Sequence, residues 1–183
     1  MKCMPSGRKS VQLNEAARRL LEVMAPEGVL IGGICGFIYG VERYTRDIDL
    51  ATTLDAEKVI SRLRDAGIEA DMRSSNEPGD LSWVISGEIE GVEFQILPAA
   101  ETGMDGARVE LKAGLRVPDI NSFIVSKCIA AGQQDMHDVA ALCMMHPGIL
   151  MFAKSEADKR GCLNKLESWL DDRRLQQRYA STD

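Results

Sequence analysis

Between residues 29 and 50 the chain leaves little freedom in how it can fold. Val29-Leu30-Ile31 is a short apolar run that ends in Gly32-Gly33, and residues 34 to 39 then read as a short helix. A second strand follows through Ile48 and Leu50 and carries Asp47 and Asp49. Side chains on a strand alternate between its faces. Asp47 and Asp49 therefore share one side, while Ile48 and Leu50 turn into a core. A strand, a glycine pair, a helix and a doubly acidic strand form one unit, and the rest of the chain has to cover its apolar side.

That unit carries a chemistry. Two residues of strand advance roughly 6.6 Å, which lets two carboxylates hold divalent ions about 3.5–4 Å apart, the spacing that aligns attacking and leaving oxygens in phosphoryl transfer. Hard carboxylate oxygens suit Mg²⁺, which also takes phosphate oxygens as ligands. Gly32 and Gly33 close a strand and open a helix, so their backbone N–H groups can face an anion. Extending the strand's alternation backward places Arg43 and Thr45 on the acidic side, where Arg43 is a natural triphosphate ligand. Each feature alone is common in turns and solvated strand edges. Their order and spacing together point to a site.

The remaining pattern predicts an α+β fold, a small mixed β-sheet flanked by helices, with further helices at the C-terminal end. Leu13, Ala16, Ala17, Leu20, Leu21 and Met24 have helical spacing, and Asp55 caps a helix bearing Val59, Ile60 and Leu63. Residues 68 to 97 read as strands, with a turn at Asn76-Glu77-Pro78-Gly79 and a tighter one at Glu90-Gly91. Residues 108 to 111 add another strand, and everything from Asp119 onward reads as helix. We place the boundary between an α/β core, 1–117, and a helical region, 118–183, near Pro118.

Composition excludes several classes. No apolar run approaches the roughly 18 residues needed to span a bilayer, and the opening MKCMPSGRKS has no apolar stretch of the kind a signal peptide carries. Five scattered cysteines without a Cys-x-x-Cys pair, and only His137 and His146 beside them, argue for a reduced, cytoplasmic chain without structural zinc. A net charge of −6 argues against a protein devoted to phosphate-backbone binding.

Lys127 stands out in the helical region. Ile120, Phe123, Ile124, Cys128 and Ala131 form an apolar arc with Lys127 in its middle. A lysine there either pairs with a buried carboxylate, for which Asp135 and Asp138 are the available partners, or aims into a site.

Gly32-Gly33 followed by Arg43-x-Thr45-x-Asp47-Ile48-Asp49-Leu50 resembles the signature of the minimal nucleotidyltransferases of the polymerase-β superfamily. The later run from Lys127 through Asp135 and Asp138 to Leu142 resembles the second signature of their type IV toxin and abortive-infection branch. The resemblance implies a nucleoside triphosphate donor and Mg²⁺ or Mn²⁺ on Asp47 and Asp49. It places Gly32, Gly33, Arg43, Thr45 and Lys127 around the nucleotide.

The acceptor hydroxyl stays open among RNA, a protein side chain and a small alcohol. The superfamily's third carboxylate belongs on a later strand, and here the closest alignment puts Gln95 in its place. Glu93, two residues earlier on the same strand face, is the other candidate to complete the catalytic set. Gly132-Gln133-Gln134 also replaces the basic residues the branch carries. Two readings follow: an enzyme transferring a nucleoside monophosphate, and a catalytically weak nucleotide-binding module acting through a protein partner, as in a toxin–antitoxin pair.

Overall fold

The structure, a computed structural model, describes residues 7–179 of the chain. Residues 1–6 of the opening segment, Cys3 among them, lie outside these. Helix α1 (Gly7–Val23) leads into strand β1 (Gly28–Leu30), helix α2 (Gly32–Ile38) and strand β2 (Ile48–Thr52). Helix α3 (Ala56–Asp65) precedes three strands, β3 (Ala70–Ser74), β4 (Trp83–Ile89) and β5 (Val92–Pro98). A hairpin of β6 (Val109–Lys112) and β7 (Leu115–Pro118) follows. Five helices then complete the described chain: α4 (Ile120–Ala130), α5 (Gln133–Met145), α6 (Leu150–Lys159), α7 (Leu163–Leu170) and α8 (Arg173–Tyr179).

Strands β1 to β5 form a mixed sheet in the order β1-β2-β5-β4-β3, and β2 and β5 are its parallel pair. Period-two alternation decides its two faces. Leu30, Ile48, Leu50, Ile85, Phe94 and Ile96 are buried on one side, in a cluster that continues through α1 into α4, α5 and α6 without a break. On the other side Val29, Ile31 and Ala51 join Ala99 and Met104 in a small second cluster at one end. The rest of that face, with Asp49, Glu93 and Gln95, is open or half-open to solvent. The fold is the α+β arrangement expected, a mixed sheet with flanking helices and helices at the C-terminal end.

Local chemistry explains most of the boundaries. Asp55 accepts a hydrogen bond from the Lys58 amide and starts α3. Asp119 does the same for α4 through the amides of Asn121 and Ser122. Glu90 and Gly91 both take positive φ, 53° and 76°, which gives β4 and β5 the tight hairpin turn whose twist matches the strands.

Three features differ from expectation. Helix α2 already begins at the glycine pair. Strand β7 was not anticipated, because Ala113 (φ 52°) sits at a turn position where Asn or Gly is the usual signal. Arg18 stabilises that turn by donating to the Ala113 carbonyl at 2.7 Å. The C-terminal third is broken into short helices, by a 3-10 turn at Pro147–Ile149 and by Gly161 at φ 69°. Among the described residues no single helix is long and apolar enough to cross a membrane.

Phe94 is almost completely buried at the centre of β5, beside Ile48 of β2 and Gly87 of β4. Phe94→Ala should lower the unfolding free energy by about 3–5 kcal/mol in urea denaturation. A loss below about 1 kcal/mol would place the core elsewhere.

Candidate functional site

The approach to β2 alternates in burial before it is paired. From Glu42 to Asp49, the odd-numbered residues Arg43, Thr45, Asp47 and Asp49 are half-buried on one side, and Glu42, Tyr44 and Arg46 are exposed on the other. Strand pairing begins only at Ile48, so Asp47 stands just ahead of β2 rather than within it. It is held locally instead, by the Thr45 hydroxyl, which donates to Asp47 Oδ1 at 3.0 Å. Tyr44 and Arg46 stack on one another outside, with the guanidinium carbon 4.9 Å from the ring centroid.

Asp49 is fixed from both flanks. Its carbonyl accepts from the Ile31 amide at 2.9 Å, which brings the end of β1 and the glycine pair against it. The parallel register sets Gln95 of β5 beside it. Gly32, at φ 63°, lies so close that a Cβ there would overlap the Asp49 carboxylate. A Cβ on Gly33 would overlap the Thr45 hydroxyl and come within 2.9 Å of Arg43 Nη2. The two glycines thus let backbone approach a carboxylate on one side and a hydroxyl and guanidinium on the other.

The electrostatics follow from burial. The Asp49 carboxyl is pushed up to about 6, first by burial and then by the charge of Asp47, against the opposing pull of Lys127 and Arg43. Lys127, buried on α4, places Nζ 2.8 Å from Asp135 and 3.0 Å from Asp138. It is thus ion-paired with both carboxylates, and its charge is also felt at Asp49. Asp138 is fully buried, and its Oδ2 also lies 3.3 Å from Arg43 Nε. Gln134 donates to Oδ1 at 3.1 Å, and His137 Nδ1 lies 3.5 Å from that oxygen. Burial pushes the Asp138 carboxyl up, but His137, Lys127 and Arg43 outweigh it and hold it below the usual carboxylate range.

The sequence candidates therefore converge unevenly. Gly32, Gly33, Arg43, Thr45, Asp47 and Asp49 meet at the end of the sheet where β1 closes and β2 begins. Gln95 joins them through its pairing with Asp49, whereas Glu93 is paired across β4 with Glu88. Among the described residues no three acidic, histidine or cysteine side chains are grouped closely enough to hold a metal. Two carboxylates of like charge, one of them driven toward protonation, are nonetheless a donor set that a divalent cation would relieve. Asp47 and Asp49 are the residues of this donor set, and Gln95, paired with Asp49 on β5, is neutral. Sequence reasoning missed the contact between Arg43 and Asp138. They stand on a coil and a helix far apart in the chain, and no local pattern links them.

No protein-family model and no curated protein sequence matches the chain. Its structure is similar to the crystal structure of a protein from H. pylori provisionally assigned as a nucleotidyltransferase. The TM-score is 0.51 at 15% identity, over 94% of this chain and 88% of that one. A second provisionally assigned nucleotidyltransferase, from Thermotoga maritima, matches with a TM-score of 0.45 at 15% identity, over 61% and 77% of the two chains. JHP933 from Helicobacter pylori matches at 0.43 and 13%, over 95% and 94%. The first of these likenesses identifies the fold as nucleotidyltransferase-like.

The raised carboxyl of Asp49 has a measurable consequence. The folded carboxyl holds its proton more tightly than the unfolded one, so ionisation opposes folding. That penalty is absent below pH 3.8, grows as the pH rises, and is complete above about 6. In EDTA, Asp49→Asn should therefore be more stable than the wild type at pH 7.5, by on the order of 1–3 kcal/mol. The advantage should vanish near pH 3.5. Thermal or urea melts at the two pH values check this, and a variant that is destabilised at pH 7.5 contradicts the electrostatic assignment.

Proposed function

We propose that this chain is a nucleotidyltransferase that moves a nucleoside monophosphate from a nucleoside triphosphate to an acceptor hydroxyl. The observation that carries the reading is the meeting of Asp47 and Asp49 with the Gly32-Gly33 turn, Arg43 and Thr45 at one end of the sheet. An anion held against Gly33 would find its backbone, the Thr45 hydroxyl and the Arg43 guanidinium within one small space. Asp47 and Asp49 would hold Mg²⁺ or Mn²⁺ beside that anion. Such an ion supplies Lewis-acid polarisation of a phosphoryl oxygen when bound. The side chains do the positioning: Arg43 and Thr45 orient the phosphates, and Gly32 lets the backbone of the turn come against Asp49.

The proton of the acceptor hydroxyl needs a separate acceptor. Gln95 is next to Asp49 but can offer only a carbonyl oxygen, which does not take a proton. Glu93 is the nearest carboxylate along that face of β5. The acceptor itself is a hydroxyl of RNA, of a protein side chain or of a small alcohol.

Gln95 beside Asp49 favours a second reading, a nucleotide-binding module of weak or absent activity. In that reading the chain works through a protein partner, in the manner of a toxin–antitoxin pair. The resemblance of the Lys127–Leu142 run to the type IV toxin and abortive-infection branch supports such a partner. A cytoplasmic setting fits either reading.

Melting curves with each of the four NTPs and Mg²⁺ test the site common to both. At least one NTP should raise Tm, since it binds only the native state. Asp47→Asn with Asp49→Asn should abolish the rise, and an unchanged rise in that double variant refutes the assignment.

Labelled NTPs incubated with a cell extract then separate enzyme from module. Loss of a proton-accepting group typically costs about 10²–10⁴-fold in rate. If Glu93 is the acceptor, Glu93→Gln should remove labelling by that factor while NTP binding persists. If nothing fills the role, Gln95→Asp should raise it. Silence from both variants, with binding intact, favours the module.

A further inference from the structure

Arg43 sits on unpaired coil, on a long side chain with many rotamers, yet the phosphate role proposed above needs its guanidinium in one place. Asp138 of α5 supplies the restraint. Its carboxylate is fully withdrawn from water and meets Arg43 through Nε, at 3.3 Å. That contact occupies the inner edge of the guanidinium. Nη2 is left near the Gly33 turn, 2.9 Å from where a Cβ on that residue would stand. Among the described residues no protein acceptor is hydrogen-bonded to Arg43 Nη1 or Nη2.

The arrangement is a poor device for stability alone. A buried ion pair stabilises no better, as a rule, than apolar side chains of the same volume. Asp138 Oδ2 has Lys127 at 3.0 Å and Arg43 at 3.3 Å, but neither contact has the alignment of a hydrogen bond. Lys127 has a distinct part in this. Shared between Asp135 and Asp138, it neutralises the buried carboxylate. Gln134 and His137 occupy the other oxygen, Oδ1, and so fix which oxygen faces Arg43.

We infer that Asp138 is a positioning residue for phosphate binding: it holds Arg43 by its inner edge and so aims the outer edge at the glycine turn. The helical region is then part of the phosphate site without touching phosphate. This rests on the phosphate role given to Arg43 above, and it adds the residue through which that role is set.

A double-mutant cycle separates this from a structural ion pair. The probe is inorganic tripolyphosphate with Mg²⁺, which needs no base preference, titrated calorimetrically into the full chain. Arg43→Gln should weaken binding about tenfold or more, the scale of a charge-assisted hydrogen bond. Asp138→Asn, nearly isosteric, should weaken it by a similar factor. The double variant should bind no worse than Arg43→Gln alone, because Asp138 acts only through Arg43.

Losses that multiply in the double variant, or an Asp138→Asn affinity equal to wild type, overturn the inference while the phosphate site stands. A wild-type chain that does not bind the probe overturns both. Should Asp138→Asn fail to fold, Lys127→Met with Asp138→Asn removes one buried charge of each sign. That pair then takes its place in the cycle, with the same outcomes.

Discussion

A carboxylate with no access to water has to be met by charge, and Asp138 imposes that condition on the parts of the molecule around it. Lys127 comes from α4, Arg43 from the coil before β2, and His137 and Gln134 from its own helix. The coil before β2 and the helical region are thereby joined through one buried carboxylate. The apolar cluster that runs from the sheet into α4, α5 and α6 supplies most of the cohesion.

The second constraint is steric. Gly32 and Gly33 occupy space that any side chain would contest with Asp49, Thr45 or Arg43. The same closeness that demands glycine sets the backbone of the turn against a carboxylate on one side and a hydroxyl and guanidinium on the other. A site of opposed charges at such short range is useful to a protein that handles a metal-bound phosphate. Burial first, and then the charge of Asp47, raises the Asp49 carboxyl there.

Much of this was legible in the chain itself. The helical spacing of Ala16, Ala17, Leu20, Leu21 and Met24, the caps Asp55 and Asp119, and the Glu90-Gly91 turn are local signals, and each element formed where its signal stood. Residues 43 to 49 alternated as a strand would, even though the ladder starts only at Ile48. Strand β7 escaped notice because its turn uses Ala113 at positive φ, and a distant arginine, Arg18, caps the carbonyl there. Alternation alone does not say where pairing begins, and it runs back past Ile48 to Asp47 and beyond.

The sequence by itself determined which residue types face which way: the glycine pair, the half-buried row from Arg43 to Asp49, and a lysine in an apolar arc. Those follow from steric and periodic rules that act over a few residues. Only the tertiary structure decided that Gln95, rather than Glu93, stands beside Asp49, because strand register depends on burial summed across the whole sheet. It also decided that Lys127 serves two carboxylates and that Asp138 reaches Arg43. Those contacts depend on how helices dock on the sheet, and docking is governed by packing of the entire apolar core rather than by the spacing of any one segment.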